Sequence, residues 1–206
     1  MAENFKHLMF TPGVREIQEA KGSRASYARM EGDGSAPDAL DDTARAFIES
    51  RDTFYMASVT ETGWPYVQHR GGPPGFLRVL DRHRIAFADF SGNRQYISTA
   101  NFRSDDRVAL ILMDYPNRQR LKLVGRAVSI EHAENPALVD ALMPPGYPAQ
   151  AERGFMITVE GLEWNCAKYI TQRFTVAELA GPVEALKARI AALEAENSTL
   201  KEKLAS

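Results

Sequence analysis

Hydrophobic positions follow different periods along the chain. In residues 1–51 they are sparse and helical: 14–20 is charged and weakly amphipathic, and Leu40, Ala44, Phe47 and Ile48 recur at helical spacing after Asp38. A polar stretch, Glu31-Gly32-Asp33-Gly34-Ser35-Ala36-Pro37, separates the two as a loop. The segment 1–51 is therefore expected to be a helical cover over one end of a core. From Thr53 the period drops to two, and β-rich runs at 54–59, 66–70, 76–80 and 84–88 predict strands. Glu61-Thr62-Gly63 and Asp81-Arg82-His83 are short enough to join neighbouring strands as hairpins, hence antiparallel. Residues 93–103 interrupt as a helix, and strands resume at 108–114, 121–130 and 155–162. The expected fold is mainly β with flanking helices: six or seven mostly antiparallel strands over 52–176 forming a small barrel or a highly curved sheet, so that few edges stay open.

The last segment, 181–206, has a period of 3.5. Val183, Ile190, Asn197 and Leu204 fall at one heptad position, a, and Leu186, Leu193 and Leu200 at the other, d. In a parallel pair of such helices Arg189 faces Glu194, and Glu196 faces Lys201, both of opposite charge. Asn197 at an a position favours two strands in register. Pro182 after Gly181 marks the expected start. The pattern predicts a C-terminal parallel dimeric coiled coil and a two-fold homodimer; the alternative is a terminal helix packed on its own domain.

Composition narrows the class of protein. The chain has 206 residues, 44% hydrophobic and 25% charged, the balance of a globular chain and not of a disordered or collagen-like one. With 25 Lys and Arg against 27 Asp and Glu the net charge is -2, so no overall field attracts nucleic acid or an anionic membrane. The longest uninterrupted apolar run, 108–113, is far below the ~20 residues that span a bilayer. Met1-Ala2-Glu3-Asn4-Phe5-Lys6-His7 lacks the pattern of a signal peptide, so the cytoplasm is the expected location. A single cysteine, Cys166, rules out an internal disulfide and reads as a buried thiol; the four histidines have no metal-ligand spacing, and no metal is expected.

Charge is uneven along the chain. Between Arg70 and Arg126 eleven Arg or Lys stand against five Asp. Singly, arginines on alternate strand positions read as solvated and paired with nearby Asp; as a group they suit an anion. Ser91-Gly92-Asn93-Arg94-Gln95 lies between a strand and the expected helix, where backbone N–H groups and the helix dipole bind a phosphate. Arg94 would add a charge-assisted contact, although the same residues also make an ordinary turn and N-cap. Gln68, His69 and Arg70 put polar groups on both faces of a strand, and Gly71 behind them permits close approach of a flat ligand. His69 is either a general base or a surface histidine, with no Ser or Cys nucleophile adjoining it. Trp64 and Tyr66 read as packing residues. The irregular stretch from Trp164 to Phe174 is able to complete a site in a neighbouring subunit.

Four runs, taken in order, carry a resemblance. They are Gln68-His69-Arg70-Gly71-Gly72-Pro73-Pro74-Gly75-Phe76-Leu77, then Asp89-Phe90-Ser91-Gly92-Asn93-Arg94-Gln95-Tyr96, then Asp114-Tyr115-Pro116 with Arg120-Leu121-Lys122-Leu123-Val124-Gly125-Arg126-Ala127, and finally Trp164-Asn165-Cys166. As a set they resemble the FMN-binding split-barrel family, in particular flavin-nucleotide-binding proteins related to pyridoxine 5′-phosphate oxidase. The resemblance implies a six-stranded split barrel whose homodimer holds FMN in clefts at the interface. By motif, Gln68, His69, Arg70 and Gly71 lie along the isoalloxazine and ribityl chain, and Asn93, Arg94 and Gln95 form the phosphate turn. Arg120 and Lys122 reach in from the partner subunit, and Trp164 with Asn165 closes the cleft. The related proteins tend to follow Asn-Cys with Pro-x-His, whereas this chain has Ala167-Lys168-Tyr169, and the Arg-x-His ending of the true oxidase is missing. Pyridoxamine phosphate is therefore not the expected substrate. The function implied is an FMN-dependent oxidoreductase passing electrons between a small-molecule donor and a small acceptor. A non-enzymatic flavin or haem carrier or sensor, an oligomerisation module with a vestigial pocket, and a deazaflavin in place of FMN remain as alternatives.

Overall fold

The computed structural model describes residues 4–32, 34, 36–164 and 167–205. Four short helices lead in: α1 (Phe5–Met9), α2 (Pro12–Ala20), α3 (Arg24–Glu31) and α4 (Asp42–Glu49). α4 begins where the Asp41 carboxylate accepts a 2.7 Å hydrogen bond from the Ala44 N–H, a side-chain cap for an otherwise unsatisfied donor. That start turns Ala44, Phe47 and Ile48 inward, and with Leu40 they join the core. One Asp38 oxygen accepts from the Phe5 and Leu162 N–H groups, both at 3.0 Å, and so ties α1 to the last strand.

Seven strands form one antiparallel sheet: β1 (Thr53–Val59), β2 (Pro65–Gly71), β3 (Leu77–Val79), β4 (Arg84–Phe90), β5 (Arg107–Asp114), β6 (Gln119–Glu131) and β7 (Ala151–Trp164). Their order is β2-β1-β5-β6-β7-β4-β3. The count is seven, one for each predicted run, and not the six of the split barrel that the resemblance implies; the short β3 falls within the predicted run 76–80 and is hairpinned onto β4. β6 and β7 pair end to end, with a register shift between Val124 and Gly125. A Cβ at Gly125 would come within 2.1 Å of the Thr158 carbonyl oxygen, so only glycine lets the strands approach this closely. Phe54, Phe76, Phe87 and Phe155 fill the interior, with Phe54 stacked on Phe76 and edge-on to Phe87.

Three helices differ from expectation. α5 (Ile97–Ser104) starts four residues later than the predicted 93, leaving residues 93–95 in the preceding loop. α6 (Pro136–Leu142), unforeseen, is capped by Asn135 and buries Val139 and Leu142. The last helix, α7 (Val176–Ala205), begins before Gly181 and runs through Pro182. None of its residues is buried, so it does not pack on its own domain. No described helix is long and apolar enough to cross a membrane.

Candidate functional site

β2 and β4, far apart in the sheet order, approach each other beneath the start of α5. Together with the loop before α5 and the first residues of β7 they enclose a cavity of about 220 Å³. Burial alternates along β2, so Tyr66, Gln68 and Arg70 face this cavity while Val67 and His69 face away. α5 is held over it by two side-chain bonds of 2.8 Å, Ser98 Oγ to Gln68 Oε1 and Asn101 Nδ2 to the buried Ser58 Oγ.

Two arginines meet at Asp89. Arg70 Nη1 donates to one carboxylate oxygen, and Arg153 Nη1 donates to the other at 2.8 Å. Arg153 is further committed to Glu131 at 3.0 Å and Glu152 at 3.1 Å, and lies 5.0 Å over the Tyr96 ring. Burial opposes its charge, but the bonds to Glu131 and Asp89 outweigh that and hold its pKa above the ordinary value. Glu152 is held below the usual carboxylate range, first by the Ser91 hydroxyl at 2.9 Å and then by Arg153. Arg70 is less committed. Its guanidinium lies 5.2 Å over Phe155, and its buried Nε–H has no partner among the described residues. A buried donor without a partner costs about 1–3 kcal/mol, which an incoming acceptor would recover.

The loop ahead of α5 holds backbone strain. Arg94 and Tyr96 both adopt left-handed conformations, φ 57 and φ 55. Such a conformation costs a non-glycine residue about 1–2 kcal/mol and is kept only where the surroundings impose it, most often at binding sites. Tyr96 is the N-cap of α5 yet makes no side-chain capping bond, so the helix start opens onto the cavity with its dipole unmasked by a cap. Asn93 accepts from the Gln95 N–H at 3.2 Å, and exposed Arg94 donates from Nε to the Tyr96 hydroxyl at 3.1 Å. Three arginines, Arg70, Arg94 and Arg153, thus line the cavity against Asp89 and Glu152. The arrangement suits a small anion with several acceptor oxygens.

Of the eleven residues singled out from the sequence, Gln68, Arg70, Asn93, Arg94 and Gln95 come together here. His69 is on the opposite face of β2, bonded to Thr53 Oγ1 and edge-on to Tyr55. Gly71 ends β2 outside the cavity lining. Arg120 and Lys122 lie on β6, opposite Met113 and Ile111, and Lys122 pairs with Glu163 at 3.7 Å. Trp164 packs edge-on against Phe47, 4.9 Å between rings. Asn165 and Cys166 lie outside the described residues. Trp64, read as packing, is 72% exposed because it sits in the β1–β2 turn, and Tyr66, read likewise, lines the cavity. Sequence reading missed Ser98, Glu152 and Arg153. Arg153 left a signal: it is in phase with Phe155, Ile157 and Val159, a charge set on the inward face of a core strand.

The fold and site define a split β-barrel with an arginine-lined cavity. The family model described as Pyridoxamine 5'-phosphate oxidase matches residues 40–157, and the chain belongs to that family. No curated protein matches the sequence. Among solved structures it is similar to HupZ of Group A Streptococcus, 11% identical, covering 66% of this chain and 99% of that one with a TM-score of 0.50. It is also similar to an FMN-binding protein of Syntrophomonas wolfei, 10% identical over 73% and 97%, TM-score 0.47. A Clostridium acetobutylicum protein related to general stress protein 26 follows at 13% identity over 66% and 94%, TM-score 0.44. At 11% identity the likeness to HupZ is one of fold.

Proposed function

We propose that the chain is an FMN-binding oxidoreductase of this family, acting on a small substrate and taking the phosphate end of the flavin into the Arg70 cavity. The observation that carries this reading is the buried, unpartnered Nε–H of Arg70 in an arginine-lined cavity at an uncapped helix start. The residues present fit the group: Arg70 and Arg94 would bond phosphate oxygens, and Gln68 would face the ribityl hydroxyls. A cavity of about 220 Å³ is smaller than the roughly 300–1,000 Å³ that encloses a whole drug-sized ligand. It therefore holds the phosphate end and leaves the ring to a neighbouring surface.

A second copy of the barrel is the proposed source of that surface. Tyr55, Ala57, Val67, Ala109, Ile111 and Val124 line an apolar outer face of the sheet, and β-register puts His69, Arg120 and Lys122 on that same face. A homodimer joined there would bring these residues toward the partner's cavity and exclude water from the ring. When bound, the flavin supplies the electron transfer itself.

Titration with FMN and riboflavin tests the reading. FMN should bind at micromolar concentration or tighter, and riboflavin, without the phosphate, much more weakly. Arg94→Gly should lower FMN affinity about ten- to a hundredfold, the ~1.5–3 kcal/mol of a charge-assisted bond. The same change should leave stability equal or higher by up to about 1 kcal/mol, because glycine accepts the left-handed conformation without strain. Absence of flavin absorbance in the purified protein together with no FMN binding at micromolar concentration would refute it. Reoxidation of the reduced protein by oxygen or a quinone under turnover separates an enzyme from a carrier.

A further inference from the structure

The geometry points to α7 as a docking surface for the same helix of a second copy, paired parallel and in register. This inference is independent of the cofactor. α7 starts at a reciprocal cap: the Thr175 N–H donates to Glu178 Oε2 at 2.7 Å, and the Glu178 N–H donates to Thr175 Oγ1 at 3.2 Å. With that start the heptad gains another repeat, since Val176 and Leu179 precede Val183 and Leu186 at the same a and d spacing. The seam then runs the length of a 30-residue helix, about 45 Å at 1.5 Å per residue. Every a and d position except Asn197 is a large apolar residue, each between 41% and 88% exposed. A continuous apolar stripe of this length on a helix that buries nothing against its own chain marks an interface.

What covers the stripe follows from charge and from Asn197. In the parallel arrangement Arg189 of each helix meets Glu194 of the other, and Glu196 meets Lys201, so the seam is flanked by attraction on both sides. In-register pairing also sets Asn197 against its own copy, where the two amides bond each other. The antiparallel pairing that aligns Ile190 with Leu193 instead puts Asn197 against Leu186, burying an amide without a partner at a cost of about 1–3 kcal/mol. The occupant is thus a second copy, and its direction is set by one polar residue.

Disulfide trapping in the full chain tests this. Cys166 is replaced by Ser and Leu204 by Cys, and the protein is oxidised by a glutathione mixture at low micromolar concentration. Parallel helices bring the two introduced thiols together and should give a covalent dimer in high yield. Antiparallel helices separate them by about 40 Å. Adding Ile190→Lys should abolish the covalent dimer, Arg189→Glu should reduce its yield severalfold, and Arg189→Glu with Glu194→Arg should restore it. Failure of the disulfide to form, or a yield indifferent to Ile190→Lys, would overturn the proposal. Association through the barrels alone does not produce this pattern, because none of these substitutions touches the sheet.

Discussion

Asp89 is the residue on which the cavity's charge turns. It is 7% exposed and accepts from Arg70 on one oxygen and Arg153 on the other, so one buried carboxylate orders two guanidiniums. Removing one member of such a buried set leaves the others uncompensated, at about 3–5 kcal/mol. Asp89→Asn should therefore lower the urea midpoint with an unchanged slope, and Asp89→Asn should also weaken FMN binding because Arg70 is no longer aimed. A different carboxylate contributes to the acid side of stability. Asp105 accepts from the Arg107 side chain and backbone N–H, which pull its pKa from 3.8 to about 2. A depressed carboxylate contributes stability above its ordinary pKa and loses it as pH falls through the folded value. The stability gap between the natural chain and Asp105→Asn should thus be constant at pH 5–7 and shrink as pH falls from about 4 toward 2, as read from denaturant midpoints.

At the scale of elements, α7 is separable from the barrel. It buries no residue, and it leaves the cavity and the apolar outer face intact when removed. A chain ending at Gly181 should keep its thermal midpoint within a degree or two and its FMN affinity within twofold. It should still sediment as a dimer through the outer face of the barrel. Sedimentation as a monomer at micromolar concentration would place the main contact in the tail. The strands were legible in the sequence because their period of two survives burial on one face only, as in β1 and β5, where alternate residues are buried. The starts of helices were less so. Thr175 and Glu178 carry a cap signature, but Gly181 and Pro182 compete with it as a boundary, and the helix nevertheless runs through the proline. The start of α5 was misplaced for the opposite reason: Ser91-Gly92-Asn93 has the composition of a cap, whereas the cap residue is a left-handed Tyr96 that no propensity foresees.

For the whole molecule, the part of the site within one stretch of chain was readable and the part assembled across the fold was not. Gln68 and Arg70 stood out as members of a consecutive polar run on a strand, and Arg94 by its neighbours. Arg153 joins Asp89 across 64 positions of sequence, a proximity created only by the pairing of β4 with β7. His69 was grouped with its neighbours by adjacency, although strand geometry sends adjacent side chains to opposite faces. The strand order has one further consequence. The β1–β2 hairpin sits at one edge of the sheet and the β3–β4 hairpin at the other, and the bridge between them is not finished until Trp164. During synthesis the two early hairpins must wait, each with one flank unmatched, while the middle of the sheet emerges from the ribosome. The arginine-lined cavity is consequently among the last features the nascent chain can form, since its Arg153 wall arrives with the closing strand.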